Sequence, residues 1–271
     1  MHFTALRRMM ATYSLLTTLL LSSGWAQADA NFQIWPIYPR LEHTEKATAI
    51  WLKNVGTADA LVQIRVYKWE QIDGKDSYTE QTDIIASPPI VKIKPGDNNM
   101  LRLSRAHTLP DGREYAYRII VDELPITIEA QNASTKAQVN FQMRYSIPLF
   151  AYGKGLGSGF SQQSNQENAK KALAKPLLTW SLQADEQGQN HLFIRNSGLK
   201  FARLGNIALT KQGQGLGAQH KPLTAYVLAQ SSTSLPISAA MRQQLASQTV
   251  LYAEDSSGPQ NTWLEIHHAT P

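Results

Sequence analysis

The chain contains no cysteine. Disulfide bonds, thiolate catalysis and cysteine-bound zinc are therefore excluded, and stability has to come from buried apolar area. Charge is also scarce: Lys, Arg, Asp and Glu make up 17% of the residues and the net charge is +5, which is not the basic excess of a nucleic-acid-binding protein. After residue 28 there is no apolar run long enough to predict a membrane span.

Residues 1–28 have the pattern of a secretory signal. Arg7 and Arg8 are followed by an apolar stretch and then by Ala26-Gln27-Ala28, whose small residues two apart suit a signal peptidase. Cleavage after Ala28 is predicted, with Ala30 as a second option, whereas a retained anchor is disfavoured because the apolar run is short for a span. Removal leaves 24 basic residues of the original 26 against 21 acidic ones, a net charge of +3.

The remaining residues, about 240, are enough for one large or two ordinary domains. Residues 60–69 alternate between an apolar face, which should point into a core, and a second face that ends at Trp69. Asp73-Gly74 predicts a tight turn between strands. Similar runs separated by Gly and Pro turns predict an all-β chain of sandwich domains. The best helix candidate, at 238–248, is short.

A glycine-rich and polar stretch divides these strands into two groups. Its composition disfavours a packed element. We therefore predict a sandwich at 29–153, a linker at 154–175 and a second, smaller sandwich at 176–271.

Several segments, in this order and spacing, resemble the periplasmic chaperones of the chaperone–usher pilus pathway. The most specific is Pro88-Pro89, a short strand, Pro95-Gly96 and then a strand that contains Arg102. Others are Ile37-Tyr38-Pro39, Trp51-Leu52-Lys53-Asn54, Tyr115-Ala116-Tyr117-Arg118, Glu123-Leu124-Pro125, Ile147-Pro148-Leu149-Phe150, Ile194-Arg195-Asn196-Ser197-Gly198 and Phe201-Ala202-Arg203-Leu204. The detailed pattern is most similar to the archaic, Csu-like branch.

This resemblance implies two immunoglobulin-like domains set in an L, with the working cleft between them. It further implies a periplasmic protein whose seventh strand completes pilin subunits that lack their last strand, and which presents them to an outer-membrane usher. It implies no cofactor.

The segment that matches the donor strand alternates from 137 to 145. The apolar face, which the resemblance assigns to the subunit, consists of Ala137, Val139, Phe141, Met143 and Tyr145. On pattern alone, an ordinary sandwich strand with this face buried in its own core is the favoured interpretation, and the resemblance reverses that preference. Phe141 has the greatest apolar area and should contribute most to binding.

Better-known members of the family hold the subunit's terminal carboxylate with an Arg on the first strand and a Lys on the seventh. Here Trp35 and Pro148 stand at those positions. A carboxylate in a cleft still needs a charged donor, so we predict Arg118 as the anchor, Arg144 as second choice and Arg102 as a weaker third. Each could instead be a solvated surface charge.

No catalytic or metal-binding set is recognisable, and we expect no enzyme. No phosphate-binding loop is present, and Gly157-Ser158-Gly159 lacks the strand–helix context of a nucleophile. A secreted structural or adhesive pilus component remains an alternative. Such a protein needs a donor extension near its mature start and usually lacks a seventh strand, whereas here residues 138–149 supply one. A secreted hydrolase is the third hypothesis and would need a convergent catalytic set.

Overall fold

The computed structural model describes residues 31–125, 142–159, 175–210, 223–258 and 261–269. We call 31–159 the first unit and 175–269 the second unit. The strands of the first unit are β1 (Phe32–Trp35), β2 (Arg40–Leu41), β3 (Ala47–Asn54), β4 (Ala60–Ile72), β5 (Lys75–Thr79), β6 (Ile84–Ser87), β7 (Ile90–Ile93), β8 (Asn98–Arg105), β9 (Glu114–Leu124) and β10 (Arg144–Tyr152). The second unit contains β11 (Leu178–Ala184), β12 (Asn190–Asn196), β13 (Ala202–Ala208), β14 (Ala225–Val227), β15 (Ser231–Pro236), α1 (Ala239–Leu245), β16 (Val250–Asp255) and β17 (Thr262–His268).

The first unit is a sandwich of two sheets around an aliphatic core. One sheet has the order β1-β3-β8-β6, and the other has the order β2-β10-β9-β4-β5, with β7 beside β4. Alternation along the strands decides which side chains enter the core: Val62 and Ile64 of β4 are buried there, as predicted, together with Ile147 and Leu149 of β10.

Alternation alone does not account for the burial of Trp69. Its place in the alternation puts it on the outward face of β4, yet only 2% of the residue is exposed. The face is outward with respect to the first unit only, because the second unit covers it. Trp69 packs there with Phe150 and with Phe201 of the second unit.

The strands of the second unit form one hydrogen-bonded path, β14-β13-β16-β17-β11-β12-β15. The path curls until β14 and β15 touch, and the enclosed core centres on Trp180. The pairing of β11 with β17 is parallel. The predicted helix is confirmed as α1, and the Ser238 side chain caps it by accepting the Met241 N–H.

The predicted turn at Asp73-Gly74 is confirmed. Both residues have positive φ, 50° and 78°, and they join β4 to β5 as the two central residues of a hairpin. This hairpin extends from the first unit to β15 of the second unit, where Ser234 N–H donates to Gly74 C=O at 2.9 Å.

The start of the predicted linker is packed, contrary to its composition. Leu156 and Ser158 are buried. Leu156 joins the apolar cluster between the units, and the Ser158 carbonyl accepts a hydrogen bond from Lys200 Nζ at 2.8 Å. Residues 160–174 of the linker and residues 1–28 of the predicted signal lie outside the described residues, so those boundaries stay predictions.

Candidate functional site at the cleft between the units

One side of β10 is open. β9 pairs with β10 from Arg144 to Tyr152, whereas β2 pairs with its other side only at Phe150 and Ala151. Within the described residues, no strand lies beside positions 144–149 on that side. We call the backbone from Arg144 to Pro148 on that side the open edge. An unpaired edge is a template for another strand.

The direction of the backbone groups at the open edge follows from the pairing with β9. Met143 C=O accepts from Glu123 N–H at 3.0 Å, and Gly153 N–H donates to Arg113 C=O at 2.9 Å. In an antiparallel strand, the N–H and C=O of one residue point to the same neighbouring strand, and those of the next residue point to the opposite side. The backbone groups of the even-numbered residues of β10 therefore point away from β9, towards the open edge. Arg144 and Ser146 therefore offer an N–H and a C=O, and Pro148 offers a C=O only. Pairing of an added strand should end there.

The predicted donor face continues the core face of β10. Three of its residues, Ala137, Val139 and Phe141, lie outside the described residues. Met143 is 41% exposed, so its side chain is available to a partner. Tyr145 is half-buried, packs against the first unit's core, and its hydroxyl accepts the Phe32 N–H at 3.2 Å. The apolar face is therefore buried in the core from Ile147 onwards and exposed at Met143, with Tyr145 at the boundary. Tyr145 also packs within its own unit.

Arg118 lies directly across from Pro148 in the β9–β10 pair. Arg118, which we predict to replace the family lysine, therefore lies on the neighbouring strand directly opposite Pro148, the residue at the lysine position. Its guanidinium carbon lies 3.7 Å from the Trp69 ring centroid and 5.3 Å from that of Tyr226. Arg118 Nε is buried and has no hydrogen-bond partner among the described residues. Held by aromatic rings without a carboxylate, this cation can accept an anionic ligand.

Arg144 is engaged elsewhere. It pairs with Asp122, whose second oxygen lies 2.5 Å from Arg65 Nη2. Burial opposes the charge of Asp122, but hydrogen bonds from Arg144 and Arg65 outweigh it and lower the pKa of Asp122. Arg144 and Arg118 share a face about 13 Å apart along the strand, so the structure does not bring them together. Arg102 lies on β8, in the other sheet, and binds Ser104.

A cavity of about 590 Å³ lies between the units, beside Arg118. Its walls come from β10 and the chain after β1 on one side, and from β13 and β14 on the other. The second unit contributes Arg203, which the sequence analysis did not single out as a site residue; its position just after Phe201, in a segment quoted for the resemblance, was the available signal. The polar lining residues are Tyr38, Arg118, Tyr145, Ser146, Arg203, Thr224, Tyr226 and Ser256.

The cavity is held in shape by an aromatic joint. Phe150 and Phe201 stack with ring centroids 3.6 Å apart and an interplanar angle of 2°. Trp69 adds an edge contact to Tyr226. Gln71 ties the same surfaces with two hydrogen bonds, donating to Tyr226 C=O at 2.8 Å and accepting Leu228 N–H at 2.9 Å.

The sequence and fold identify relatives. Residues 38–156 match the pili and flagellar-assembly chaperone family at its PapD N-terminal domain. A chain in the crystal structure of the CsuC–CsuE chaperone–tip adhesion subunit pre-assembly complex, from the archaic chaperone-usher Csu pili of Acinetobacter baumannii, matches with 48% identity and a TM-score of 0.75; the match covers 89% of this chain and 100% of that chain. The chain belongs to the pilus-assembly chaperone family. The predicted resemblance to the Csu-like branch is thereby confirmed.

Two other chaperones are more distant. LpfB of Salmonella typhimurium is 27% identical over 150 residues, which is 55% of this chain and 60% of LpfB. The chain thus spans less than two thirds of this curated relative. The Escherichia coli chaperone DraB has 15% identity and a TM-score of 0.53, over 89% of this chain and 97% of DraB, a likeness of fold alone. The predicted fold of two immunoglobulin-like domains is confirmed, and the L between them stays a prediction.

Neither a membrane-spanning helix nor a clustered metal site is present among the described residues. No helix there is long and apolar enough to cross a membrane. No group of three or more His, Asp or Glu side chains there could hold a metal ion.

Proposed function

We propose that this pilus-assembly chaperone binds incomplete pilin subunits in the periplasm by adding a strand to them, and delivers them to an outer-membrane usher. The observation that carries the proposal is the open edge of β10, which ends at Pro148 beside the uncompensated cation Arg118. The relative CsuC is found in a pre-assembly complex with a tip adhesion subunit. The same use of β10 is proposed here.

The physical basis is exchange of exposed apolar surface for buried surface. A sandwich that lacks a strand exposes a groove, which promotes aggregation. An added strand supplies main-chain hydrogen bonds at the open edge and side chains to the groove, of which each large one contributes about 1.5–3 kcal/mol when buried. We propose Ala137, Val139, Phe141 and Met143 as these side chains, with Tyr145 at the boundary with the chaperone's own core.

For the carboxylate anchor we propose Arg118 ahead of Arg144. A subunit strand that runs parallel to β10 ends its pairing at Pro148, and its terminal carboxylate then lies beside Arg118. Arg144 already serves as the partner of Asp122. Recruiting it to a second carboxylate would leave Asp122 with only Arg65.

The alternative of a structural or adhesive pilus component is disfavoured. A pilin lacks the strand that completes its own sandwich, whereas β10 is present here and pairs with β9 along nine residues. An unfilled groove on this sandwich would be needed to favour a pilin, and the first unit's core is closed around Ile147 and Leu149.

We propose no enzymatic activity, although a Ser–His–Asp contact exists in the second domain. His191 Nε2 lies 3.2 Å from Asp185 and its Nδ1 lies 2.8 Å from Ser234 Oγ. A hydrolase also needs an accessible nucleophile beside oxyanion donors. Here the Ser234 N–H is bound to Gly74 C=O, and the β4–β5 hairpin packs on Ser234. The three side chains support the domain contact instead.

The test is co-expression of tagged chaperone with exported β-proteins encoded beside it, followed by co-purification. Phe141→Asp should abolish capture of the subunit, because a carboxylate would have to enter an apolar groove. Ile85→Asp is the matched control: Ile85 is 56% exposed and lies on β6, at the sheet edge farthest from β1, so this variant should capture subunit like wild type. Equal capture by Phe141→Asp and wild type would refute the proposal.

A further inference from the structure

We propose that Arg203 of the second domain is the second cation of the carboxylate site, so that a bound chain terminus is held by both domains at once. This inference rests on the proposed function and extends it from a single anchor, Arg118, to a clamp across the cleft.

The first support is the charge of the cavity. It is lined by Arg118 from β9 and Arg203 from β13, and its described lining contains no Asp or Glu. Neither guanidinium forms an ion pair with a carboxylate among the described residues. Two like charges in a partly desolvated space repel each other, and a bound anion removes that cost.

The second support is the way Arg203 is held. Its Nη1 donates to Ser256 Oγ at 3.0 Å, its guanidinium carbon lies 4.6 Å from the Tyr38 ring centroid, and its backbone N–H donates to Asp255 at 3.1 Å. A guanidinium fixed on an aromatic face keeps other N–H groups for a planar acceptor, and loses little side-chain freedom when one binds.

Tyr226 links the two cations. Burial and a hydrogen bond with Tyr38 raise the pKa of Tyr226, while the charges of Arg203 and Arg118 lower it. The Arg118 guanidinium carbon lies 5.3 Å from the Tyr226 ring centroid, and Arg203 is the cross-strand partner of Tyr226 in the β13–β14 pair. The pair of tyrosines adds hydroxyl groups that can donate to an oxyanion.

The position of the site suits a chain terminus. The open edge ends at Pro148, which has no N–H to continue the pairing, and Pro148 and Arg118 face each other across the β9–β10 pair. Pro148 and Arg203 both line the cavity. A carboxylate at this place has two oxygens for two guanidiniums, which is the arrangement that charge-assisted hydrogen bonds favour.

The experiment measures how much a variant discriminates between two forms of one subunit. The subunit captured by wild-type chaperone is prepared with its natural terminal carboxylate and, by protein ligation, with a terminal amide. Affinity for both forms is measured for wild type, Arg118→Gln, Arg203→Gln and Arg195→Gln. Arg195 is an exposed arginine on β12, outside the cavity, and is the matched control.

Wild type and Arg195→Gln should prefer the carboxylate by at least about tenfold, the size of a charge-assisted hydrogen bond. Arg203→Gln should reduce that preference severalfold, as should Arg118→Gln. A purely structural role of Arg203 would weaken both forms equally and leave the ratio unchanged. Because each ratio is taken within one variant, a smaller folded fraction cancels.

An Arg203→Gln ratio equal to that of wild type would overturn the inference while leaving strand addition intact. Equal binding of carboxylate and amide by wild type would overturn it too, since no carboxylate site would then exist. If Phe141→Asp binds both forms like wild type, the proposed function itself is wrong, and the clamp is wrong with it.

Discussion

The carboxylate of Glu114 lies at the contact between the two domains. It accepts the Phe201 N–H at 2.7 Å, and its Oε2 is buried. Burial raises the pKa of Glu114 to about 8, against the backbone hydrogen bond from Phe201 and the charge of Lys200, which lower it. Burial also lowers the pKa of Lys200. The joint therefore disfavours the charged form of both side chains.

This predicts a pH dependence of stability. Glu114 binds its proton more tightly when folded, with a pKa of about 8, than its ordinary value of 4.5. Its favourable contribution is complete below pH 4.5 and is lost as pH rises towards 8. Urea unfolding of wild type and Glu114→Gln at several pH values between about 5 and 8 checks this.

Relative to Glu114→Gln, wild type should lose unfolding free energy as pH increases. Glu186→Gln, which removes an exposed carboxylate, is the control and should follow wild type. A constant difference between wild type and Glu114→Gln across this range would contradict the assignment.

Among the elements, the β4–β5 hairpin connects the domains. Gly74 is at its tip with φ of 78°, and a Cβ there would lie 2.7 Å from Ser234 Cβ. Ser231 Oγ also donates to Gln71 C=O at 2.9 Å. Glycine is thus required twice, by the turn and by the close approach of β15.

Gly74→Ala should loosen this contact. Gly96→Ala is the matched control, because Gly96 has φ of 81° with no neighbour within 4 Å of its Cβ position. Both variants carry the positive-φ cost of about 1–2 kcal/mol, and Gly74→Ala adds the clash. Amide hydrogen exchange of Ser234, whose N–H binds Gly74 C=O, should accelerate in Gly74→Ala only. Equal exchange in both variants would show that the hairpin does not depend on this approach.

Across the whole molecule, the aromatic joint is the apolar contact that we expect to couple the two domains. Phe150 from β10 stacks on Phe201 from the second domain, and Leu156 and Leu228 close the cluster. The cleft that holds the proposed carboxylate site thus depends on apolar contacts beyond its own lining. Since β10 contributes both the open edge and Phe150, strand addition and domain coupling share an element.

Phe201→Ala should uncouple the domains. Loss of a stacked, buried phenylalanine costs about 3–5 kcal/mol, so calorimetric unfolding should change from one transition to two. Leu177→Ala, at a 58% exposed leucine, should leave the transition nearly unchanged. A single transition at the wild-type temperature in Phe201→Ala would mean that the joint does not couple the domains.

Much of the fold could be predicted because alternation and turns are local. The apolar face of β4, the Asp73-Gly74 hairpin and α1 with its Ser238 cap each depend on residues a few positions apart. The order of the segments that resemble pilus-assembly chaperones was readable for the same reason. For the site, the resemblance placed Pro148 at the position of the missing lysine and Arg118 on a strand beside the donor strand, but that the two lie opposite each other follows only from the strand pairing.

The sequence by itself determined an all-β chain, its family and the phase of the strand that carries Met143 and Tyr145. Only the tertiary structure decided that Trp69 and Leu156 are buried and that Arg203 faces the same cavity as Arg118. Those facts arise where two domains meet, between residues up to 160 positions apart that no periodicity connects. A local pattern specifies which side of a strand is apolar, whereas the neighbour that covers it is chosen by packing of the whole chain.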